Sequence, residues 1–195
     1  MPENLHREPS ASAAANELNE KDLAELLRRK DPAGMRLFYD RYVGCLTALC
    51  LRYVPDRVDA KDILQDAFVN MFAAADKFQY RGEGCLKAWA SRIVVNGALK
   101  SLRQSGRLLP MKEIPDLPEE ELPDRLEVPP EVIQQFICAL PDGYRTVFNL
   151  YVFEQKSHRE IAELLGIRED SSASQYFRAR ALLARQIKTY LKDHE

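Results

Sequence analysis

The sequence predicts an all-α protein made of two small helical domains joined by a flexible, acidic and proline-rich linker. Apolar residues recur at three- and four-residue spacing through most of the 195 residues, which is the helical period. The sequence contains no strand pattern, internal repeat or glycine-rich phosphate loop. Five of the eleven prolines fall within 105–129, among many acids, where the helical period fades. The predicted units are a disordered tail at 1–20, a first domain at 21–104, the linker at 105–129 and a second domain at 130–195.

The net charge of −2 hides a basic block followed by an acidic one. Six basic residues and one acid lie within 81–110, whereas eight acids and one arginine lie within 113–131. The near-neutral total therefore says less about binding partners than the distribution does.

The cysteines and histidines indicate no metal site and no cofactor. Cys45, Cys50, Cys85 and Cys138 form no C-x-x-C pair, and no histidine stands at zinc-ligand spacing, so we expect reduced structural thiols. No nucleophile–base pair or carboxylate pair marks an active site, so we expect neither an enzyme nor a small-molecule substrate. The longest nearly apolar run, Tyr42–Leu51, is too short to span a bilayer, and the N-terminus lacks a signal-peptide core. We expect a cytoplasmic protein that does not insert into the membrane.

The first domain is predicted to begin with three amphipathic helices. The first has a leucine stripe within 23–27, and the second starts at Asp31-Pro32, because proline suits a first helical turn. Pro55 and Asp56 end that helix, and Asp59 is expected to cap the third. The third helix has an outer polar face, which consists of Asp62, Gln65, Asp66 and Asn70. Such a face is usually only solvated, but a partner helix with basic residues could also dock there.

The last helix of this domain is predicted from Leu86, after a loop at Gln79–Cys85. Gly97 inside it costs roughly 1 kcal/mol relative to alanine, so it should have a packing or contact reason. Basic and polar residues recur along one face, namely Arg92, Asn96, Lys100 and Arg103. Beside aromatics such as Phe78 and Tyr80, that face suits single-stranded nucleic acid, because cations follow phosphates while rings stack on bases. The simpler alternative is that the aromatic residues belong to the core and that the basic residues only lie on the solvated surface.

The second domain closes with a helix-turn-helix pattern. Ser157 and Glu160 form a capping box, and Gly166 stands where a helix end favours positive φ. The stretch Asp170–Ser172 can cap the next helix. Small side chains at its start, with arginines one turn later, suit a helix that enters the DNA major groove. Any antiparallel helix pair can show the same features, so this pattern alone does not decide the function.

Four stretches in order resemble the extracytoplasmic-function (ECF) group of bacterial RNA polymerase sigma factors, in the sigma-70 family, over Leu23–Leu191. The match to region 2.2 is DAKDILQDAFVNMF, and the match to regions 2.3 and 2.4 is KFQYRGEGCLKAWASRIVVNGALKSLR. The opening of region 4 is matched by LPDGYRTVFNLYVFEQKSHREIAELLGI, and its recognition helix by SSASQYFRARALL. With the acidic linker between them, these stretches identify the chain as a member of the group.

The resemblance implies a promoter-specificity subunit that binds core RNA polymerase, through its β′ clamp and β subunits, and starts transcription. The residues expected to face polymerase are Asp62, Gln65, Asp66 and Asn70. The residues expected to open the −10 element and hold it as a single strand are Phe78, Tyr80, Arg81, Trp89, Arg92, Asn96, Lys100 and Arg103. The residues expected to read the −35 element as duplex are Ser171, Ser172, Ser174, Gln175, Phe177, Arg178 and Arg180. An anti-sigma factor is implied as an inhibitory partner, able to hold the protein at the inner face of the membrane.

The chain departs from the family pattern in its recognition helix and in the basic face. Ala173 and Gln175 stand where basic residues are frequent, so the −35 sequence of relatives does not transfer to this chain. Lys100 stands where an acid is frequent, which leaves its contact open.

Two other functions stay open on the residues alone. An ordinary helix-turn-helix regulator would bind duplex DNA by itself, as a dimer on a palindrome. A protein-interaction module would show no salt-dependent DNA affinity. The basic, aromatic first domain favours the sigma factor. In an ordinary regulator this domain would sense a ligand or dimerise, and neither role needs a basic, aromatic surface.

Overall fold

The computed structural model describes residues 18–108 and 128–194, which form eight α-helices and no strand within those ranges. The first four helices are α1 (Glu20–Arg28), α2 (Pro32–Tyr53), α3 (Arg57–Ala74) and α4 (Cys85–Gln104), with a 3₁₀ turn at Ala75–Lys77. The other four are α5 (Pro130–Ala139), α6 (Asp142–Val152), α7 (His158–Leu165) and α8 (Glu169–Asp193). The all-α prediction is confirmed. The predicted tail up to residue 17, and residues 109–127 of the predicted linker, lie outside the described residues.

The first three helices begin at short polar side chains, as helix starts require. Asn19 accepts from the Asp22 N–H at the start of α1, and Asp31 accepts from the Gly34 N–H at the start of α2. The prediction that Asp59 caps α3 is wrong: Asp56 is the cap, and its carboxylate accepts from the Val58 and Asp59 N–H groups. Asp56 has the extended backbone of a capping residue, whereas Asp59 already lies inside the helix, where it pairs with Arg107 at 3.0 Å.

The helix-turn-helix is confirmed in its first half and differs at the second cap. Ser157 and Glu160 form the predicted capping box, and hydrogen bonds from Ser157 lower the pKa of the Glu160 carboxyl. Gly166 ends α7 with φ of 68°. The next helix begins earlier than predicted, at Glu169 after Arg168, without a side-chain cap. The stretch Asp170–Ser172 therefore lies inside the first turn of α8.

The core of the first domain forms around α2, which contacts α1, α3 and α4. Its largest fully buried side chains include Phe38, Leu46 and Met71. At Gly97 a methyl group would approach Ile63 Cγ2 to 3.3 Å, so this glycine lets α4 run close to α3. This close approach is the packing reason that the sequence led us to expect for Gly97.

The two predicted domains share one continuous apolar core. A small separate cluster, which includes Leu140 and Leu183, holds α5 and α6 on α8. Other apolar residues of the second domain instead join the buried cluster of the first, namely Val147, Leu150, Ile161 and Leu165. Helices α5 and α6 consequently pack directly on α2.

Polar groups of α6 also satisfy the C-terminal end of α2, where a helix leaves carbonyl groups without partners. Arg145 Nε donates to the Tyr53 carbonyl at 3.1 Å, and Asn149 Nδ2 donates to the Arg52 carbonyl at 2.9 Å. We call these two contacts the α2 cap. Both donor residues are buried, with Arg145 only 3% exposed and Asn149 fully buried. The remaining Arg145 donors bond the carbonyls of Cys138 and Leu140 and the carboxylate of Asp142.

Replacement of Arg145 by methionine should lower the free energy of unfolding by about 3 kcal/mol, because the carbonyls and the carboxylate around it lose a buried partner. Urea denaturation followed by circular dichroism measures this change. The matched control is Arg159→Met, since Arg159 forms only an exposed ion pair with Glu163 and should contribute less than about 0.5 kcal/mol. Equal stability of the two variants would contradict the structural importance of the α2 cap.

Candidate nucleic-acid and polymerase interface

The polar face predicted on α3 is exposed, as expected, but it borders two different grooves. Asp62, Asp66 and Asn70 line a groove of about 490 Å³ between α3 and α4. Asn96 and Lys100, predicted to contact DNA, line the same groove from the α4 side. The structure therefore brings part of the polymerase set and part of the −10 set together.

The other groove, of about 590 Å³ between α2 and α3, is mainly apolar and includes the remaining member of the face, Gln65. Tyr39 and Val69 line it and are 45% and 61% exposed. Sequence reasoning missed both residues. The signal was present for Val69, which follows Gln65 by four residues and Asp66 by three, and so shares their face of the helix.

The basic face of α4 forms as predicted, with Arg92, Asn96 and Lys100 all exposed. Arg103 is also exposed, but its Nη1 donates to the Leu164 carbonyl of α7 at 3.1 Å. In this arrangement Arg103 links the two domains. The other three side chains stand free to meet phosphates along one helix face.

The predicted aromatic residues lie at the start of α4. Phe78 and Trp89 have ring centroids 5.0 Å apart, and both are half-buried against the core. Tyr80 is half-buried as well, and burial together with the charge of Glu20 raises the pKa of its hydroxyl. Arg81 is exposed. These rings therefore pack against the core, and part of each stays exposed.

The loop between Tyr80 and α4 depends on glycine and on a distant carboxylate. Gly82 and Gly84 have φ of 136° and 84°, values that other residues rarely adopt. Glu20 of α1 accepts from the Gly84 and Leu86 N–H groups at 2.8 and 2.7 Å. Sequence reasoning missed Glu20, because no local pattern links residues more than sixty positions apart.

The recognition helix α8 presents only part of the predicted −35 set to solvent. Ser174, Phe177 and Arg180 are exposed, and Ser171, Gln175 and Arg178 are half-buried. The prediction that Ser172 contacts DNA is wrong, because this residue is fully buried and its Oγ lies 3.0 Å from Nδ1 of His158. Ser172 fixes α8 against α7 and does not face outward.

The family follows from the comparisons with known proteins. The family model described as Sigma-70 region 2 matches residues 38–108, and the model described as Sigma-70, region 4 matches residues 131–183. Relatives that align with nearly the whole chain carry the ECF name. The chain belongs to the ECF group of the sigma-70 family. Helices α2 to α4 fall in region 2, and helices α5 to α8 form region 4.

Two of the similar proteins are sigma factors that align over nearly their whole length. The ECF RNA polymerase sigma-E factor of Haemophilus influenzae is 29% identical, with 89% of this chain and 97% of the relative covered. The RNA polymerase sigma-H factor of Pseudomonas aeruginosa is 27% identical, with 89% and 96% covered. The solved structure of CnrH in complex with the cytosolic domain of CnrY covers 87% of this chain and 97% of that chain, with 20% identity and a TM-score of 0.47.

A sigma factor is an initiation factor and not an enzyme, so the expectation about catalysis is met by the family itself. Within residues 18–108 and 128–194, no group of three or more potential ligands is arranged to hold a metal ion. None of the helices described is both long and apolar enough to cross a membrane. The domain boundaries at 21–104 and 130–195 stay predictions.

Proposed function

We propose that this sigma factor binds core RNA polymerase, directs it to specific promoters, opens their −10 element and reads their −35 element. The proposal rests on one observation, which is that a single sigma-family chain carries both region 2 and region 4. Region 2 presents an exposed basic helix face beside a glycine-rich loop, and region 4 presents a helix-turn-helix.

Docking on polymerase is assigned to the exposed face of α3. Asp62 and Asp66 supply negative charge that suits a basic partner, the expected partner being the β′ clamp. Val69 adds exposed apolar surface on the same face, which a docked helix would bury. Gln65 and Asn70 complete the proposed contact, and the β subunit is proposed to engage region 4.

Opening of the −10 element is assigned to α4 and the loop before it. Arg92 and Lys100 can follow the phosphates of a separated strand, while Asn96 between them offers both a donor and an acceptor. A base that leaves the stack can be held near Tyr80, Arg81 and the exposed edges of Phe78 and Trp89. Extrusion of a base costs a few kcal/mol, which such contacts must recover.

Reading of the −35 element is assigned to the outward residues of α8. Ser174 and Phe177 come from the second and third turns, near the N-terminal end that lies closest to base edges when a helix enters the major groove. Arg178 and Arg180 can reach guanine or phosphate. Ser171 and Gln175 are proposed to contribute from the side that faces Gly143 and α4.

The two domains must separate for one chain to occupy both elements. About 25 base pairs lie between positions −35 and −10, which is about 85 Å of duplex at 3.4 Å per step. A compact chain of 195 residues has a radius of gyration of about 16 Å, hence a diameter of about 40 Å. The residues at 109–127 can span at most about 65 Å, enough to bridge the gap once α6 leaves α2.

Inhibition and location follow from the same proposal. An anti-sigma factor that covers α3 or holds α6 on α2 would keep the domains from reaching polymerase and DNA together. A sigma factor acts where the chromosome lies, in the bacterial cytoplasm, and an anti-sigma factor in the membrane would hold it at the inner face.

Reconstitution with sigma-free core RNA polymerase tests the proposal. We expect a stable complex that starts transcription behind a shared two-part sequence when genomic DNA is the template, and mapping of the start sites gives both elements. Failure to bind competent core enzyme, together with tight duplex binding by the protein alone, would indicate an ordinary regulator instead.

The variant Asp66→Arg should weaken core binding at least tenfold, because it places a positive charge on the acidic docking face without touching the core. Fluorescence anisotropy of labelled protein against core enzyme measures the affinity. Asp193→Arg, a matched charge reversal at the exposed end of α8, should leave it unchanged. Unchanged affinity of the Asp66 variant would remove α3 as the docking face.

The variant Arg178→Ala should weaken binding of the holoenzyme to the −35 duplex by about 1–3 kcal/mol if the guanidinium pairs with a base, and less if it meets only phosphate. Arg185→Ala, two turns further along the helix, is the control and should have little effect. Ser172→Ala should lower stability without altering preference among −35 sequences, because its side chain faces His158. A change of preference in the Ser172 variant would contradict its buried placement.

Separation of the domains should appear as a loss of energy transfer between dyes at positions 40 and 185, attached through an unnatural amino acid. Asp40 is exposed on α2 and Arg185 is exposed on α8, so the two dyes lie on helices of different domains. We expect efficient transfer in the free protein and a large drop in the promoter complex. Dyes at positions 40 and 87, both within region 2, serve as the control. Unchanged transfer in the promoter complex would contradict the separation.

A further inference from the structure

We propose that Glu20 is a positioning residue for promoter opening, which holds the loop Gln79–Cys85 and the start of α4 in the form that receives the single-stranded −10 element. The inference rests on the proposed function and adds to it a residue outside the predicted DNA-binding set. Glu20 belongs to α1, which lies before the part of the chain that the region 2 model matches.

The carboxylate of Glu20 replaces a helix cap that the local sequence does not supply. The residue before α4 is Gly84, which has no side chain to accept from the free N–H groups of the first turn. Glu20 Oε2 accepts from the Gly84 N–H at 2.8 Å, and Oε1 accepts from the Leu86 N–H at 2.7 Å. A negative charge at this end of a helix is also favoured by the helix dipole.

The loop has few other restraints at this end. Gly82 and Gly84 both have positive φ, and glycine allows many alternative conformations. Within the loop, the Arg81 N–H donates weakly to Cys85 Sγ at 3.4 Å and the Cys85 N–H donates to the Gly82 carbonyl at 3.2 Å. The Gly84 carbonyl accepts the first bond of α4, from the Ala88 N–H at 3.0 Å. The two short bonds to Glu20 are therefore the strongest polar contacts that fix where the loop ends and α4 begins.

Glu20 is itself held in place, as a positioning residue must be. Asn19 caps α1, and the Leu18 carbonyl accepts from Arg41 of α2 at 2.6 Å. The same carboxylate is close enough to Tyr42 and Tyr80 for its charge to add to burial in raising the pKa of both hydroxyls. Glu20 thus connects the α1–α2 frame to the residues proposed to hold the −10 strand.

The carboxylate also decides where DNA phosphates can bind. An uncapped helix N-terminus is an anion site, and a phosphate of the displaced strand could occupy it. With Glu20 in that place, phosphates are repelled from the start of α4. The phosphates can bind instead to the exposed cations Arg92 and Lys100, further along the helix.

The test compares Glu20→Gln and Glu20→Asp with the control Asp22→Asn, all in the full chain assembled with core polymerase. Asp22 lies in the same first turn of α1, and its carboxylate accepts from the Asn19 side chain, so its variant removes one charge and leaves α4 untouched. The probes come from a promoter mapped by reconstitution. One is a fork in which the non-template −10 strand is single, and the other is a duplex that contains only the −35 element.

We expect Glu20→Gln to weaken binding of the fork about fivefold to tenfold, because one of the two acceptor oxygens becomes an NH2 donor and the negative charge is lost. Glu20→Asp should fall between the wild type and Glu20→Gln. Core binding and affinity for the −35 duplex should match those of Asp22→Asn. Permanganate reactivity of −10 thymines should fall in parallel with fork affinity.

Two results would overturn the inference. Fork affinity of Glu20→Gln equal to that of Asp22→Asn would show that the carboxylate does not position the loop. A loss that is equal for fork, −35 duplex and core enzyme would show a general stabilising role instead. If the wild-type holoenzyme bound neither probe, the proposed function itself would fall, and the role of Glu20 with it.

Discussion

The arrangement of the molecule depends on how the end of α2 is satisfied. This helix is the centre of region 2, and its last carbonyl groups have no partners within the helix. Arg145 and Asn149 of region 4 donate to the carbonyls of Tyr53 and Arg52. A guanidinium as buried as that of Arg145 is tolerated only when its donors are bonded, and three further acceptors in region 4 meet that need. One domain therefore completes the helix ends of the other.

The interface between region 2 and region 4 can be stable in the free protein and still open when polymerase and DNA bind. Its apolar part, which includes Val147 and Leu150, gains from burial, but its polar part is worth little net because water can replace each bond on opening. Contacts with polymerase and DNA need only offset the apolar part. The α2 cap therefore fixes the position of region 4 on region 2, and it adds little to the free energy that holds the two domains together.

The sequence predicted what is local and failed where distant residues meet. Helical periodicity, the capping box at Ser157 and the glycine at position 166 are local signals, and they placed the helices within a few residues. Ser172 was predicted to contact DNA, and only its contact with His158 shows that it lies on the packing face of α8. Glu20 and Arg145 carried no signal, since each acts on backbone groups more than sixty residues away.

In region 2, acidic residues assigned to polymerase docking lie beside residues assigned to the −10 strand. Asp62 and Asp66 border the same groove as Asn96 and Lys100, so a partner docked on α3 lies next to the proposed path of the −10 strand. Because they line the same groove, the carboxylates on one wall weaken the attraction of DNA to the lysine on the other. A basic partner that neutralises Asp62 and Asp66 removes that opposition. Docking on polymerase would then strengthen capture of the single strand electrostatically, without any change in the shape of region 2.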